Sequence, residues 1–315
     1  MTMALYLVTG GAGFIGSHIA ESLVERGDQV RILDNLCTGF RRNFTAFEKE
    51  IEFIDGDISD PDVVAKAMVG VDCVFHEAAL ASVPLSVECP LDSHRACATG
   101  TVNVLDQAHR AGVRRVVYAG SSAAYGDRPS SSKRESDMPM ILSPYAAAKL
   151  AGEMYCQAFY HTHGMETVCL RYFNVFGPRQ DPNSAYSAVI PLFITKLLSG
   201  QQPVVFGDGL QSRDFTFVKN VVHGNLLAAE ADDAPGKTFN IADGRSTTLL
   251  QLLHLLEELL EVEVNPIHEA PRVGDVRESL ADITSARTVL GYEPRVAFEE
   301  GLRQSIDYYR SIIED

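Results

Sequence analysis

The chain has 315 residues, enough for one large domain or two interlocked ones, and its 46% hydrophobic content is ordinary for a globular protein. A formal net charge of −15 argues against nucleic acid and anionic membranes as partners, and it requires any phosphorylated ligand to be met by local arginines. The six cysteines (Cys37, Cys73, Cys89, Cys97, Cys156, Cys169) form no Cys-x-x-Cys, the N-terminus lacks a signal-like pattern, and no apolar run approaches the roughly 18 residues of a membrane span, so the expectation is a cytoplasmic protein without zinc or disulfides.

The first half alternates strand and helix. Residues 4–9 are a short apolar run that reads as a buried strand, and Ile15, Ile19 and Leu23 have helical spacing over about 14–26. Further strands are expected at 29–34, 51–57, 73–76, 115–122 and 168–173, with helices over about 96–111 and after Pro144. Apolar strands alternating with helices imply an α/β fold with a doubly wound, Rossmann-type parallel sheet covered on both faces. After about 174 the pattern loosens. Segment 178–215 is rich in Pro, Gly, Asp and Ser around a helix near 188–199. A strongly amphipathic helix spans about 247–261, segment 265–283 reads as irregular, and a last helix covers about 298–313. The expected organisation is a sheet domain over 1–173 with a return segment near 214–243, and a smaller lobe from 174–213 and 244–315.

Thr9-Gly10-Gly11-Ala12-Gly13-Phe14-Ile15-Gly16 joins the first strand to the first helix. Glycines at 10, 13 and 16 permit a tight turn and let the backbone approach a pyrophosphate at the helix N-terminus. Asp34 ends the second strand, followed by Asn35. An acid there hydrogen-bonds the adenosine ribose and repels a 2′-phosphate, which favours NAD over NADP. Asp57, at the end of the third strand, suits the adenine amino group with Ile58 against the ring, or equally the cap of a helix at 61–68. Ala78 and Ala79 are small residues after the fourth strand, where a cofactor lies close to the backbone or where packing alone needs little bulk.

Ser143-Pro144-Tyr145-Ala-Ala-Ala-Lys149 carries the chemistry. Ser143 suits the N-cap and Pro144 the first helical position, so Tyr145 and Lys149 share one helix face. An ammonium near a tyrosine favours its ionised form, and an ionised tyrosine accepts a proton from an alcohol.

These pieces, together with His76-Glu77-Ala78-Ala79, Ser121-Ser122-Ala123-Ala124-Tyr125-Gly126 and Arg171-Tyr172-Phe173-Asn174-Val175-Phe176-Gly177-Pro178, resemble the extended short-chain dehydrogenase/reductases over nearly the whole chain. Within that family the chain is most similar to NAD-dependent UDP-sugar 4-epimerases, and the run 171–182 resembles those acting on N-acetylated sugars. The resemblance implies Tyr145 as catalytic base, Lys149 as the residue that binds the nicotinamide ribose and lowers the tyrosine pKa, and Ser121 as a hydrogen-bond partner of the C4 oxygen. It implies further cofactor contacts at Phe14, Ile15, Asn35 and Tyr172. Substrate contacts are implied at Ser122, Asn174, Phe206, Arg213, Arg272, Asp275 and Ser279: the arginines on the diphosphate, Phe206 on uracil, and the small Ser279 leaving room for a 2-acetamido group. A homodimer through the helices near 96–111 and 145–162 is implied at the same level.

Related 4,6-dehydratases place an Asp-Glu pair where this chain has Ser122-Ala123, so dehydration is disfavoured. Two departures stand out. Cys97 replaces an asparagine common in the family, and Leu80-Ala81-Ser82 lacks a lysine of some galactose-type relatives; neither is expected to touch the proton-transfer set. The expected activity is C4 inversion of UDP-GlcNAc/UDP-GalNAc, with UDP-Glc/UDP-Gal also open. The alternatives are a UDP-glucuronate 4-epimerase, another nucleotide-sugar oxidoreductase, or a non-catalytic NAD-binding subunit.

Overall fold

The computed structural model describes residues 4–128, 132–182, 189–271 and 277–314. Six strands come in the order the sequence suggests: β1 (Leu5–Thr9), β2 (Gln29–Asp34), β3 (Ile51–Asp55), β4 (Cys73–His76), β5 (Arg115–Ser121) and β6 (Glu166–Tyr172). The connecting helices are α1 (Phe14–Glu25), α2 (Pro61–Ala67), α3 (Val83–Glu88), α4 (Pro90–His94), α5 (Gly100–Ala111) and α6 (Pro144–His163). The smaller elements that follow are β7 (Val175–Phe176), α7 (Val189–Leu198), β8 (Val204–Phe206), β9 (Ser212–Arg213), β10 (Thr216–Phe217) and α8 (Val218–Glu230). Then come β11 (Thr238–Ile241), β12 (Thr247–Thr248), α9 (Leu249–Leu260), β13 (Ile267–Glu269), β14 (Glu278–Ser279) and α10 (Phe298–Glu314).

The main sheet has seven strands in the order β11-β6-β5-β4-β1-β2-β3, and every pairing is parallel. Strand order reverses between β1 and β4, so a crevice opens there outside the carboxyl ends of the strands. Alternation along the strands explains why the sheet needs cover on both sides. Val8, Ile32, Phe75, Val117, Leu170 and Phe239 enter one core with Ile19, Leu23 and Val221 of the helices α1 and α8. Leu7, Leu33, Val74, Val116 and Cys169 enter the other with Val64, Val104 and Leu105 of α2 and α5. Each such fully buried aliphatic or aromatic side chain contributes about 1.5–3 kcal/mol.

The outermost strand, β11, was not separated by sequence from its loop. It pairs with β6 from Thr238↔Cys169 to Ile241↔Tyr172. Its free side is occupied: the Asn240 amide N–H donates to Glu135 at 2.8 Å, and its side chain donates to the carbonyls of Lys133 and Asp282 at 3.0 Å each. A third core joins α7, α9 and α10 through Phe193, Leu197, Leu252, Leu256, Leu302 and Ile306. A capping box starts α9: Thr248 Oγ1 accepts from the Gln251 amide at 3.1 Å, and the Gln251 side chain accepts from the Thr248 amide at 2.9 Å. Segment 265–283 holds two short strands rather than none: β13 lies parallel to β8, and β14 lies parallel to β9.

Candidate active site

The glycine turn is dictated by space. A Cβ on Gly16 would fall 2.2 Å from the Gly10 carbonyl oxygen, and one on Gly10 would fall 2.7 Å from the Ala78 nitrogen; Gly10 also has φ of +69°. Gly13 caps α1, whose first amides have no intrahelical acceptor and suit an anion. Asp34 at the end of β2 is tied to this turn. Its Oδ2 accepts from the Ala12 amide at 3.0 Å and its Oδ1 from the Leu36 amide at 2.8 Å. Burial raises its carboxyl against those two bonds.

A cavity of about 520 Å³ lies over these elements. Gly10, Gly13, Phe14, Ile15, Gly16, Asp34, Asn35, Asp57, Ile58, Ala78 and Ala79 all line it, so this part of the expected cofactor set shares one wall. Asp57 is not the cap of α2. Asp60 has that place, accepting from the amides of Asp62 and Val63 at 2.9 and 3.3 Å. Asp57 instead accepts from the Ser59 amide at 2.7 Å and from Asn35 at 3.0 Å. Burial pushes its carboxyl up, but these bonds hold it below the usual range. Leu80, Ala81 and Ser82 line the same cavity, as do Arg179, Gln180 and Asp181, which sequence did not single out. They arrive from the loop after β7, and no local spacing announces them.

The proton-transfer candidates converge beside this cavity. Ser143 Oγ accepts from the Ala146 amide at 3.1 Å and starts α6, which sets Tyr145 in its first turn and Lys149 one turn on. Ser121 ends β5, opposite Tyr172 of β6, and its Oγ accepts from the Ala123 amide at 3.2 Å. The Tyr145 hydroxyl is raised by burial and by the field of Cys97, while a hydrogen bond with Ser121 lowers it and Glu77 raises it. Lys149 is buried; its ammonium donates to the Ala119 carbonyl at 2.7 Å and sits 5.0 Å from the centre of the Tyr118 ring. Burial pushes that ammonium down, against the fields of Cys97 and Glu77.

Burial is the largest influence on the Tyr145 hydroxyl and raises it. Cys97 does touch the proton-transfer set, because it packs in one apolar cluster with Ala148 and Tyr145.

Glu77, directly after β4, lines the cavity and accepts from the Tyr172 hydroxyl at 2.8 Å. Burial lifts its carboxyl to about 7, although Tyr172 and Lys149 favour the ionised form. Its neighbour His76 is turned away, with its ring nitrogens 2.7 Å from Thr9 Oγ1 and 3.0 Å from Thr101 Oγ1, and burial pushes it down to about 3.

Outside the main sheet, Ser279 of β14 and Arg213 of β9 are directly paired in a three-stranded sheet. Phe206 ends β8 beside Glu269 of β13. Asn174 holds a positive φ of 28° and donates to the Asp214 carbonyl at 3.3 Å. Ser122 opens the short turn that Ser121 caps. Arg272 and Asp275 lie outside the described residues.

A sequence model of the NAD dependent epimerase/dehydratase family matches residues 6–242. The chain belongs to that family. Its cofactor is NAD, for which the glycine turn and Asp34 leave the right space and acceptors. A putative UDP-glucose 4-epimerase of Methanocaldococcus jannaschii is 36% identical over 309 residues, covering 98% of this chain and 99% of that one. The structure of a UDP-N-acetylglucosamine 4-epimerase from Methanobrevibacter ruminantium, in complex with UDP-N-acetylmuramic acid, superposes with a TM-score of 0.95 at 39% identity, covering 99% of this chain and 100% of that one. That of the UDP-glucose 4-epimerase of Thermotoga maritima with UDP-glucose gives a TM-score of 0.93 at 37% identity, covering 98% and 99%. Members of the family thus share this fold along nearly their full lengths.

Proposed function

We propose that the protein is an NAD-dependent isomerase that inverts C4 of a UDP-sugar, with UDP-GlcNAc/UDP-GalNAc as the preferred pair and UDP-Glc/UDP-Gal as a second. What carries this reading is the gathering of Ser121, Tyr145 and Lys149 at one carboxyl edge of the sheet, with Glu77 and Ala79 of the glycine-turn cavity beside them. The 4-epimerase names of the similar proteins support the reaction. The small Ser279 beside Arg213 supports room for an acetamido group.

In this reading the sugar's C4 hydroxyl sits against Ser121 and Tyr145, and Tyr145 oxygen takes its proton. NAD, when bound, would supply the hydride acceptor and donor for C4 and, in its oxidised form, a positive charge. The Ser121 hydrogen bond favours the ionised tyrosine. Lys149 is anchored on the Ala119 carbonyl, one turn along α6 from Tyr145. When the 4-keto sugar has turned over, Tyr145 returns the proton to the C4 oxygen, so the sugar leaves with no net change of redox state. Ser122 and Ala123 offer no acid for proton transfer at C5, in keeping with epimerisation rather than dehydration.

Arg213, Phe206, Asn174 and Ser279, with Arg272 and Asp275, would hold the nucleotide sugar in a lobe formed by 174–213 and 244–315, set against the NAD-binding part. A homodimer is part of the same proposal. The expected contact is over the helices near 96–111 and 145–162, here α5 and α6; Met154 and Tyr155 of α6 are exposed, an apolar pair suited to a second copy.

The test is a product assay by NMR with UDP-GlcNAc, UDP-Glc and UDP-glucuronate, without added cofactor. UDP-GalNAc should form fastest. No interconversion of any UDP-hexose sinks the proposal, and inversion of the glucuronate alone replaces the substrate.

A further inference from the structure

Glu77 is shared between the cofactor cavity and the proton-transfer cluster. It lines the cavity beside Ala78, and its carboxylate is held by the Tyr172 hydroxyl at 2.8 Å. Tyr172 is itself fixed by Asn225 of α8, with contacts of 3.0 and 2.8 Å. Lys149 and Tyr145 of α6 both lie within the field of this carboxylate. None of the reaction steps above uses it.

The following rests on the C4-epimerase reading. That reading requires the reacting ring of the cofactor to meet the sugar carbon whose hydroxyl meets Tyr145. The ring then lies beside Tyr145, and so within reach of the Glu77 field. A fixed negative charge in a dry chamber stabilises a cation more than a neutral group. We propose that Glu77 tunes the bound cofactor: its carboxylate favours the oxidised, positively charged nicotinamide over the reduced, neutral one, and so holds the enzyme in the state that begins each turnover.

The charge on Glu77 depends on pH, which gives the idea a signature. Among the described residues, the groups that face it are Lys149 and Tyr145 from α6 and Tyr172 from β6, with Asn225 of α8 behind Tyr172. His76, next in the chain, is neutral and bonded elsewhere. Burial pushes the Glu77 carboxyl up to about 7, so the effect is present above neutrality and fades below it.

The experiment is a spectral redox titration of the bound cofactor in the purified holoenzyme and in the holo forms of Glu77→Gln and Glu77→Asp. Glu77→Gln keeps the shape and an acceptor for Tyr172. It should shift the balance toward reduced cofactor about tenfold, which is about 30 mV for this two-electron couple. The shift should be full near pH ~8.5 and absent near pH ~5.5. Glu77→Asp keeps the charge and should match the parent at the higher pH. An unchanged potential in Glu77→Gln, or a shift that ignores pH, overturns the proposal. No sugar enters the measurement, so failure of the epimerase assay and failure here are separate results.

Discussion

Asp34 and Ala12 are joined by a carboxylate–amide hydrogen bond of 3.0 Å, which ties the end of β2 to the glycine turn. One residue thus shapes the pyrophosphate cradle and presents the acid expected at the adenosine ribose. Asp34→Asn removes the charge while keeping one acceptor. The dissociation constant for NAD should rise about tenfold, or about 1.4 kcal/mol, and the discrimination against NADP should narrow. Calorimetric titration of both cofactors measures this; an unchanged NAD-to-NADP ratio would remove Asp34 from the specificity argument.

Tyr145→Phe removes the hydroxyl that meets Ser121 and should lower kcat by about 10²–10⁴ with the fold and NAD content intact. Lys149→Met loses a buried ammonium and its bond to Ala119, so both NAD retention and kcat should fall. Activity in Tyr145→Phe within a few-fold of the parent would displace Tyr145 as the base.

Arg171 and Glu153 form a doubly hydrogen-bonded ion pair at 2.9 and 2.7 Å, each with 3% of its side chain exposed. Glu153→Leu strands the guanidinium and should destabilise the protein by about 3–5 kcal/mol. Replacing both, Arg171→Met with Glu153→Leu, should cost less than the single change. Urea midpoints at fixed slope test the order.

Three buried groups, His18, His76 and Asp214, and the half-buried Glu77 shape the stability against pH. Burial lowers His18 to about 4 and His76 to about 3, so the unfolded chain takes up protons first as pH falls through about 6.5, and stability is lost. Burial raises Asp214 and Glu77 to about 7, so the folded chain takes up protons first and stability is gained over the window from about 7 down to about 4. The two trends oppose each other. Asp214→Asn removes one of the gains and should lose more stability than the parent between pH ~6.5 and ~4.5. Denaturant titrations at the two ends would show it; a smaller loss than the parent's would reverse the sign assigned to Asp214.

Strands such as β5 were legible because a parallel strand buried on both faces is mostly apolar, as in Val116-Val117-Tyr118, while the edge strand β3 showed through Ile51, Phe53 and Ile54. Thr238–Ile241 was not read as a strand of its own because it is short and carries the polar Asn240, whose partners at 133, 135 and 282 are far away in sequence. Helices α3 and α4 were missed because each is under two turns and too short to show a period. At the site, the glycine turn and the Tyr145–Lys149 spacing are local patterns. Glu77 is not: a single acid after an apolar strand says nothing until folding sets Tyr172, 95 residues on, against it. The upward push on Tyr145 was likewise invisible, since it depends on how deeply the ring is enclosed rather than on which cation is near.

The position of β11 bears on how the protein is made. The sheet cannot be finished until residue 241 has left the ribosome, and until then β6 offers a row of unpaired backbone groups to any passing strand. Chains that stop short of Thr238 should therefore aggregate during synthesis rather than fold into a smaller cofactor-binding fragment.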